Sequence, residues 1–192
     1  AEGWTLDKFS VAENGVVQNQ YSHYYIAENR TYGGYDKVLS EGPYNFGWGI
    51  SAPNTVEHFP YQDGLLVWYW DTAFSNNNTS VHPGGGEALP VDARAASLRW
   101  SNGSIARNRI QTFDATFGLT ATDRVTLHRE TTAGMTTLTA PSRPGVAVFD
   151  DTDPKRYYDP ANPGHSAIVG GTGTRIEVIS STQNGTMQVV VR

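Results

Sequence analysis

Across its 192 residues the chain has no window of ten or more in which apolar side chains recur at i, i+3, i+4 and i+7, and Gly or Pro interrupts every candidate stretch. One face of a helix needs that spacing, so helix is scarce. What recurs instead is short runs of β-branched and aromatic residues between turn residues, the pattern of an all-β fold. Strands are expected near Thr5–Phe9, Val16–Gln20, His23–Arg30, Val56–Phe59, Leu65–Trp70, Ile110–Phe113, Arg124–His128, Met135–Leu138, Val146–Phe149, Arg175–Ser181 and Thr186–Arg192. The expected architecture is an antiparallel β-sandwich of jelly-roll or MAM-like type with long loops. With 38% hydrophobic residues the chain has enough apolar surface for one core, so a single domain over residues 1–192 is expected.

Two segments carry sharper expectations. Asn184-Gly185 suits a two-residue type I′ turn, in which both residues need positive φ. Pairing Gln183 with Thr186 then sets Val178 opposite Val191 and Glu177 opposite Arg192, apolar on apolar and charge on opposite charge. Leu65-Leu66-Val67-Trp68-Tyr69-Trp70 is continuously apolar rather than alternating, as expected of a central strand covered on both sides. Its rings, or an exposed Tyr44 or Trp48, offer a sugar-stacking platform as the alternative. Residues 75–90 and 150–173 lack strand patterning and read as long loops.

Composition narrows the partners. Fourteen Lys+Arg against nineteen Asp+Glu give a net charge of −5, with no basic run to track phosphates, which argues against nucleic acid. The run from Leu65 to Trp70 is far short of the roughly 20 residues of a membrane span. Without cysteine, disulfides and thiolate chemistry are excluded. Abundant Asn, Thr, Ser and Gly, with Lys only at positions 8, 37 and 155, suit a secreted, extracellular protein. Residue 1 is Ala with no apolar signal segment after it, so any export signal is expected to precede the chain.

Catalytic motifs are missing. The five His, at 23, 58, 82, 128 and 165, contain no H-E-x-x-H spacing, and no G-x-S-x-G occurs. Gly84-Gly85-Gly86 lacks the Lys-Ser/Thr of a phosphate loop. Asp71, Glu87 and Asp92 flank one loop and are the acids available for glycoside hydrolysis, with solvated or metal-bound carboxylates as the competing reading. Oxygen-rich clusters suit calcium better. Asp71, Asn76 and Asn78 form one candidate group, and Asp150, Asp151 and Asp153 a second, whose mutual repulsion a cation would relieve. Surface turns formed by the same Asp and Asn residues are the equal alternative. His82, before Pro83-Gly84, reads as a turn residue whose ring bonds the loop, with metal ligation or proton transfer as alternatives. Glu28 and Arg30 share a strand face and are expected to pair.

The segments Gly3-Trp4-Thr5-Leu6-Asp7, Glu28-Asn29-Arg30-Thr31-Tyr32, Asp63 to Tyr69, Val81-His82-Pro83-Gly84-Gly85-Gly86, Val91-Asp92-Ala93, Arg109 to Phe117 and Gly171 to Val178 are similar, in order and spacing, to bacterial immune inhibitor A peptidases. The resemblance covers nearly the whole chain. It implies a secreted zinc metallopeptidase whose catalytic domain lies upstream, and a calcium-bearing, non-catalytic β-sandwich in the region matched. No zinc ligand transfers to this chain. The implied partner is the parent's catalytic domain, whether the chain is a piece expressed alone or one released by proteolysis, while the aromatic content and sandwich architecture give a protein or glycan surface ligand as the alternative.

Overall fold

The computed structural model describes residues 8–11, 17–41, 60–106, 112–132, 134–181 and 185–192. Ten strands run β1 Lys8–Val11, β2 Val17–Tyr21, β3 His23–Arg30, β4 Gly64–Asp71, β5 Ala88–Val91, β6 Val125–Thr131, β7 Gly134–Ala140, β8 Val148–Asp150, β9 Arg175–Ser181 and β10 Met187–Val191. One helical turn, α1 Lys37–Glu41, follows a 3-10 turn at Gly34–Asp36. The fold is all-β with little helix, as the sequence predicts. The expected strand at 56–59 lies outside the described residues, as do Tyr44 and Trp48, and of the one expected at 110–113 the described part is a 3-10 turn, Thr112–Asp114.

Every ladder is antiparallel, and each joins strands adjacent in sequence. Two three-stranded sheets, β3-β4-β5 and β8-β9-β10, enclose the larger core, and β1-β2 and β6-β7 form separate hairpins. No ladder among the described residues joins strands distant in sequence, as a jelly roll would. β4 is the central strand of its sheet, as its continuous apolar run predicts. β5 falls inside the expected loop because Pro90 cannot donate to a ladder. Edge position resolves the conflict, since among the described residues β5 pairs only with β4, placing Trp68 opposite Pro90.

Leu65, Val67 and Tyr69 of β4 and Val91 of β5 meet Phe149 of β8 and Ile176 and Val178 of β9, with Phe117, Tyr157 and Val169 supplied by loops. Phe149 is the hub. Its ring contacts Tyr25 at 4.8 Å, Phe117 at 5.7 Å and Tyr157 at 5.4 Å between centroids. A second cluster gathers Trp100, Ala106, Phe113, Val125, Leu127, Leu138 and Ala140 around the β6-β7 hairpin, with Arg129 stacked 4.6 Å from the Trp100 ring.

The β9-β10 hairpin forms, but in a different register. Ser181 pairs with Met187 and Ser180 with Gln188, and then a bulge at Ile179 sets Val178 opposite Val189. The displaced register places Val189 and Val191 opposite Val178 and Ile176, the two β9 residues buried in the core. Arg192 still reaches Glu177 at 3.3 Å, now diagonally across the ladder. The tip of the expected type I′ turn lies outside the described residues, although Gly185 has the required positive φ of 76°.

The His-Pro-Gly-Gly-Gly segment is packed, not open. Gly84 is buried at φ 80°, and a Cβ there would lie 2.7 Å from Ile168 Cγ1 and 3.0 Å from Tyr158. The Gly84 carbonyl accepts Ile168 N–H at 2.8 Å, so this loop is stitched to the chain after β8. Gly84→Ala is expected to lower stability by about 1–3 kcal/mol through overpacking and φ strain. Gly118→Ala, where a Cβ would meet nothing within 4 Å, should stay within about 0.5 kcal/mol. Paired urea melts check both, and equal midpoints would refute the packing role.

Candidate functional site

Inward-facing positions of β3 and β4 alternate from apolar to polar toward one end of the larger core. His23 stands opposite Asp71, and Tyr25 opposite Tyr69. His23 is 4% exposed and Asp71 1%. Tyr69 Oη lies 3.2 Å from His23 Nδ1, and Gly170 approaches so closely that a Cβ there would sit 2.8 Å from the His23 ring. Tyr25 donates to Asp151 Oδ2 at 2.7 Å and accepts from Gly170 N at 2.9 Å. Thr172 adds a backbone bond at 3.0 Å and a hydroxyl bond at 2.8 Å to the same Asp151 oxygen. Burial and donation to Asp151 hold the Tyr25 phenol well above its ordinary range.

Asp71 and Asp151, expected in separate groups, thus belong to one polar layer through His23, Tyr69 and Tyr25. Asp151 is fully buried, and its Oδ1 has no hydrogen-bond partner. A buried carboxylate with three donors on one oxygen and none on the other is the property expected of a group that meets a cation.

The remaining expected ligands are turned to local work. Asn76 Oδ1 accepts Asn78 N–H at 2.8 Å and lies 3.2 Å from His82 Nε2, while Asn78 Oδ1 accepts from Ser80 at 2.6 Å. Asp153 Oδ1 accepts Lys155 N–H at 2.9 Å. Asp150 Oδ1 accepts Thr152 N–H at 3.0 Å, and its Oδ2 faces Arg175 at 3.6 Å and Arg156 at 3.8 Å. Hydrogen bonds from Thr152, aided by those guanidiniums, hold the Asp150 carboxyl below the usual carboxylate range. Among the described residues no three His, Asp or Glu side chains gather as a metal cluster, although calcium also takes amide and backbone oxygens. His82 ties its own loop, with Nδ1 2.6 Å from Gly85 O and its ring 4.7 Å from Phe74. Glu28 and Arg30 pair at 3.0 Å as expected.

Of the three loop acids, Asp71 is joined to Glu87 by a backbone bond, Asp71 N–H to Glu87 O, 2.9 Å. Asp92 turns to its own loop, its Oδ1 accepting Arg94 N–H at 2.7 Å. A cavity of about 540 Å³ opens nearby, lined by Tyr32, Tyr61, Arg94, Phe113, Phe117 and Asp123. Sequence reading missed His23, Tyr25 and Thr172. The detectable signal was the alternation His23-x-Tyr25 in a strand whose inward positions should be apolar.

The outer face of β3-β4-β5 is the second notable surface. Tyr24, Ile26, Trp68, Trp70, Ala88 and Pro90 alternate with the core residues and so point away from it. Tyr24 and Trp70 stack with 8° between planes and 5.7 Å between centroids.

The sequence has known relatives. The family model for the VEG domain of immune inhibitor A-like metallopeptidases matches residues 18–190. The pre-pro-metalloprotease PrtV of Vibrio cholerae serotype O1 is 31% identical over 186 residues, covering 94% of this chain and 19% of that protein. Immune inhibitor A of Bacillus thuringiensis subsp. alesti is 27% identical over 191 residues, covering 96% of this chain and 24% of that protein. The chain therefore spans a quarter or less of either relative's length, in a region that is not the catalytic one. It belongs to the immune inhibitor A-like metallopeptidases, as their VEG domain.

Proposed function

We propose that this VEG domain is a non-catalytic accessory domain of a secreted bacterial metallopeptidase, seated against the catalytic domain of its parent through the outer face of β3-β4-β5. The apolar character of that face carries the reading. A free-standing sandwich sheet alternates apolar inward and polar outward, whereas here Tyr24, Ile26, Trp68, Trp70 and Pro90 take outward positions, with the Glu28–Arg30 ion pair at one end. Leu66, also outward, is already fully buried, while Ile26 is 42% exposed. Secretion is inferred from likeness to PrtV, whose name marks it as a pre-pro-protein. No helix among the described residues is long and apolar enough to cross a membrane.

The purified chain is expected to show no metal-dependent proteolysis, and turnover that survives removal of contaminants would end the accessory reading. In the parent peptidase, Ile26→Lys is expected to loosen the seat by at least about tenfold, some 1.4 kcal/mol, read as faster release of this domain in limited proteolysis. Ile179→Lys, an equally exposed isoleucine on the other sheet, is the control. Identical release from both variants would refute the assignment of this face.

Glycan binding is the second reading, favoured by the Tyr24–Trp70 stack. A glycan array separates the two: binding lost in Trp70→Ala supports it, and silence across the array removes it.

Structural calcium accompanies either reading. Asp151, with its orphaned Oδ1, and Asp71 in the same polar layer are the residues that fit a hard cation best. An ion bound only to the folded chain adds about 2.7 kcal/mol when free calcium is about 100-fold above Kd. Chelation is expected to lower Tm in the wild type and leave Asp151→Asn unchanged. A wild-type melt insensitive to chelator would refute the calcium assignment.

A further inference from the structure

Where β3 ends and β4 begins, two cavities adjoin. The first, of about 540 Å³, and the second, of about 670 Å³, are both lined by Tyr32, Asp63, Gly118 and Thr120, so a shared wall joins them into one cleft. Each lobe falls within the roughly 300–1,000 Å³ typical of ligand pockets. The first reaches Asp123 before β6, and the second reaches the β9-β10 hairpin at Ser181 and Met187.

The side chains of Tyr32, Asp63, Thr120 and Asp123 line the first lobe with no hydrogen bond or ion pair to another described residue. Aspartates of other loops hold their own turns: Asp71 accepts Ala73 N–H at 3.0 Å, Asp153 accepts Lys155 N–H at 2.9 Å and Asp159 accepts Ala161 N–H at 2.8 Å. Asp63 and Asp123 do no such work, and both are exposed. Among the described residues Arg94 is the one Lys or Arg lining the cleft, and its guanidinium is given to the carbonyls of Asp114, Thr116 and Pro144. Burial pushes the Tyr32 phenol up to about 12, which keeps it a neutral hydroxyl. The first lobe therefore repels anions and draws cations. The second differs, since Leu119, 50% exposed, and Met187 give it apolar surface beside Thr31 and Ser181. A ligand filling both lobes is elongated, cationic in one place, apolar in another, and able to hydrogen-bond between. A polypeptide combines these properties, whereas a neutral sugar lacks the charge and a nucleic acid carries the wrong one.

We propose that this cleft binds an extended polypeptide, with a Lys or Arg side chain in the lobe of Asp63 and Asp123 and an aliphatic side chain against Leu119 and Met187. The hydroxyls of Tyr32 and Thr120, on the shared wall, serve the peptide backbone between the two. In a peptidase such a site holds a substrate segment away from the catalytic centre. That use rests on the accessory reading above; the binding itself does not.

The test titrates the chain into two fluorescein-labelled pools of heptapeptides, one with Arg fixed at the centre and one with Glu, and reads anisotropy. The Arg pool is expected to bind roughly five- to tenfold more tightly, with the preference shrinking as salt is added. Asp63→Asn combined with Asp123→Asn should abolish the preference. Asp36→Asn, at an exposed aspartate outside the cleft, should leave it intact. Leu119→Ser should weaken both pools alike. Equal affinity for the two pools, a preference that survives the double variant, or no saturable binding would overturn the proposal. Displacement of the Arg pool by maltohexaose would mark a sugar site and overturn it too. Silence here leaves the seat on the catalytic domain standing, because that reading is decided by release of the domain from its parent.

Discussion

One side chain, Tyr25, holds the sandwich to its polar end. Its ring packs on Phe149 from the opposing sheet and on Tyr69 from its own, and its hydroxyl donates to Asp151 while accepting from Gly170 N. Four segments distant in sequence converge there. The apolar half of the residue completes the core, and the polar half is what permits a carboxylate to be buried behind β8 at all. Remove the hydroxyl and Asp151 Oδ2 keeps only Thr172, on a residue whose other oxygen already lacks a donor. The cation reading is a consequence of this arrangement, since the electrostatic deficit lies at Asp151, whatever the local density of acids around it.

The same sheet is what the proposed seat on the catalytic domain rests on. β4 is apolar at every position from Leu65 to Trp70, so it cannot present a solvated face. The odd-numbered positions enter the core, while Trp68 falls opposite Ile26 and Pro90, Trp70 opposite Tyr24 and Ala88, and Leu66 opposite Glu28. Register thus multiplies the effect of a single strand. Once β4 is chosen as the centre, apolar residues on both flanking strands are drawn into one outward patch.

Strands with dense β-branched and aromatic residues, β3, β4 and β9, were legible in the sequence because local propensity and burial agree there. β5 was not, since Pro90 opposes a strand locally and only the edge position makes it acceptable. The β9-β10 pairing was legible as a hairpin but not in register, because the Ile179 bulge answers to burial of Ile176 and Val178, which turn chemistry does not encode. The acids behave likewise. Asp150, Asp151 and Asp153 look equivalent in sequence, yet Asp150 faces arginines, Asp153 caps a turn and Asp151 alone turns inward. Successive positions near a strand end point to opposite sides, so a tight run of carboxylates is a poor guide to a shared site.

The segments that carry Asp92 and Asp114 show the reverse case, in which stretches far apart in the chain lie side by side. Val91-Asp92-Ala93 and the segment from Arg109 to Phe117 are recognisable pieces of sequence, but nothing in either states that they meet. They meet because Ala93 N–H bonds to Ala115 O and Phe117 pairs with Leu65 beside β5, which brings the two segments side by side. Replacing such a cluster by apolar groups would often stabilise a fold, whereas removing one member strands the others. A charged junction between two cores therefore specifies how they fit together more than it strengthens them. In this fold, Arg94 illustrates the difference, since its guanidinium bonds carbonyls at Asp114, Thr116 and Pro144 and so fixes three backbone positions.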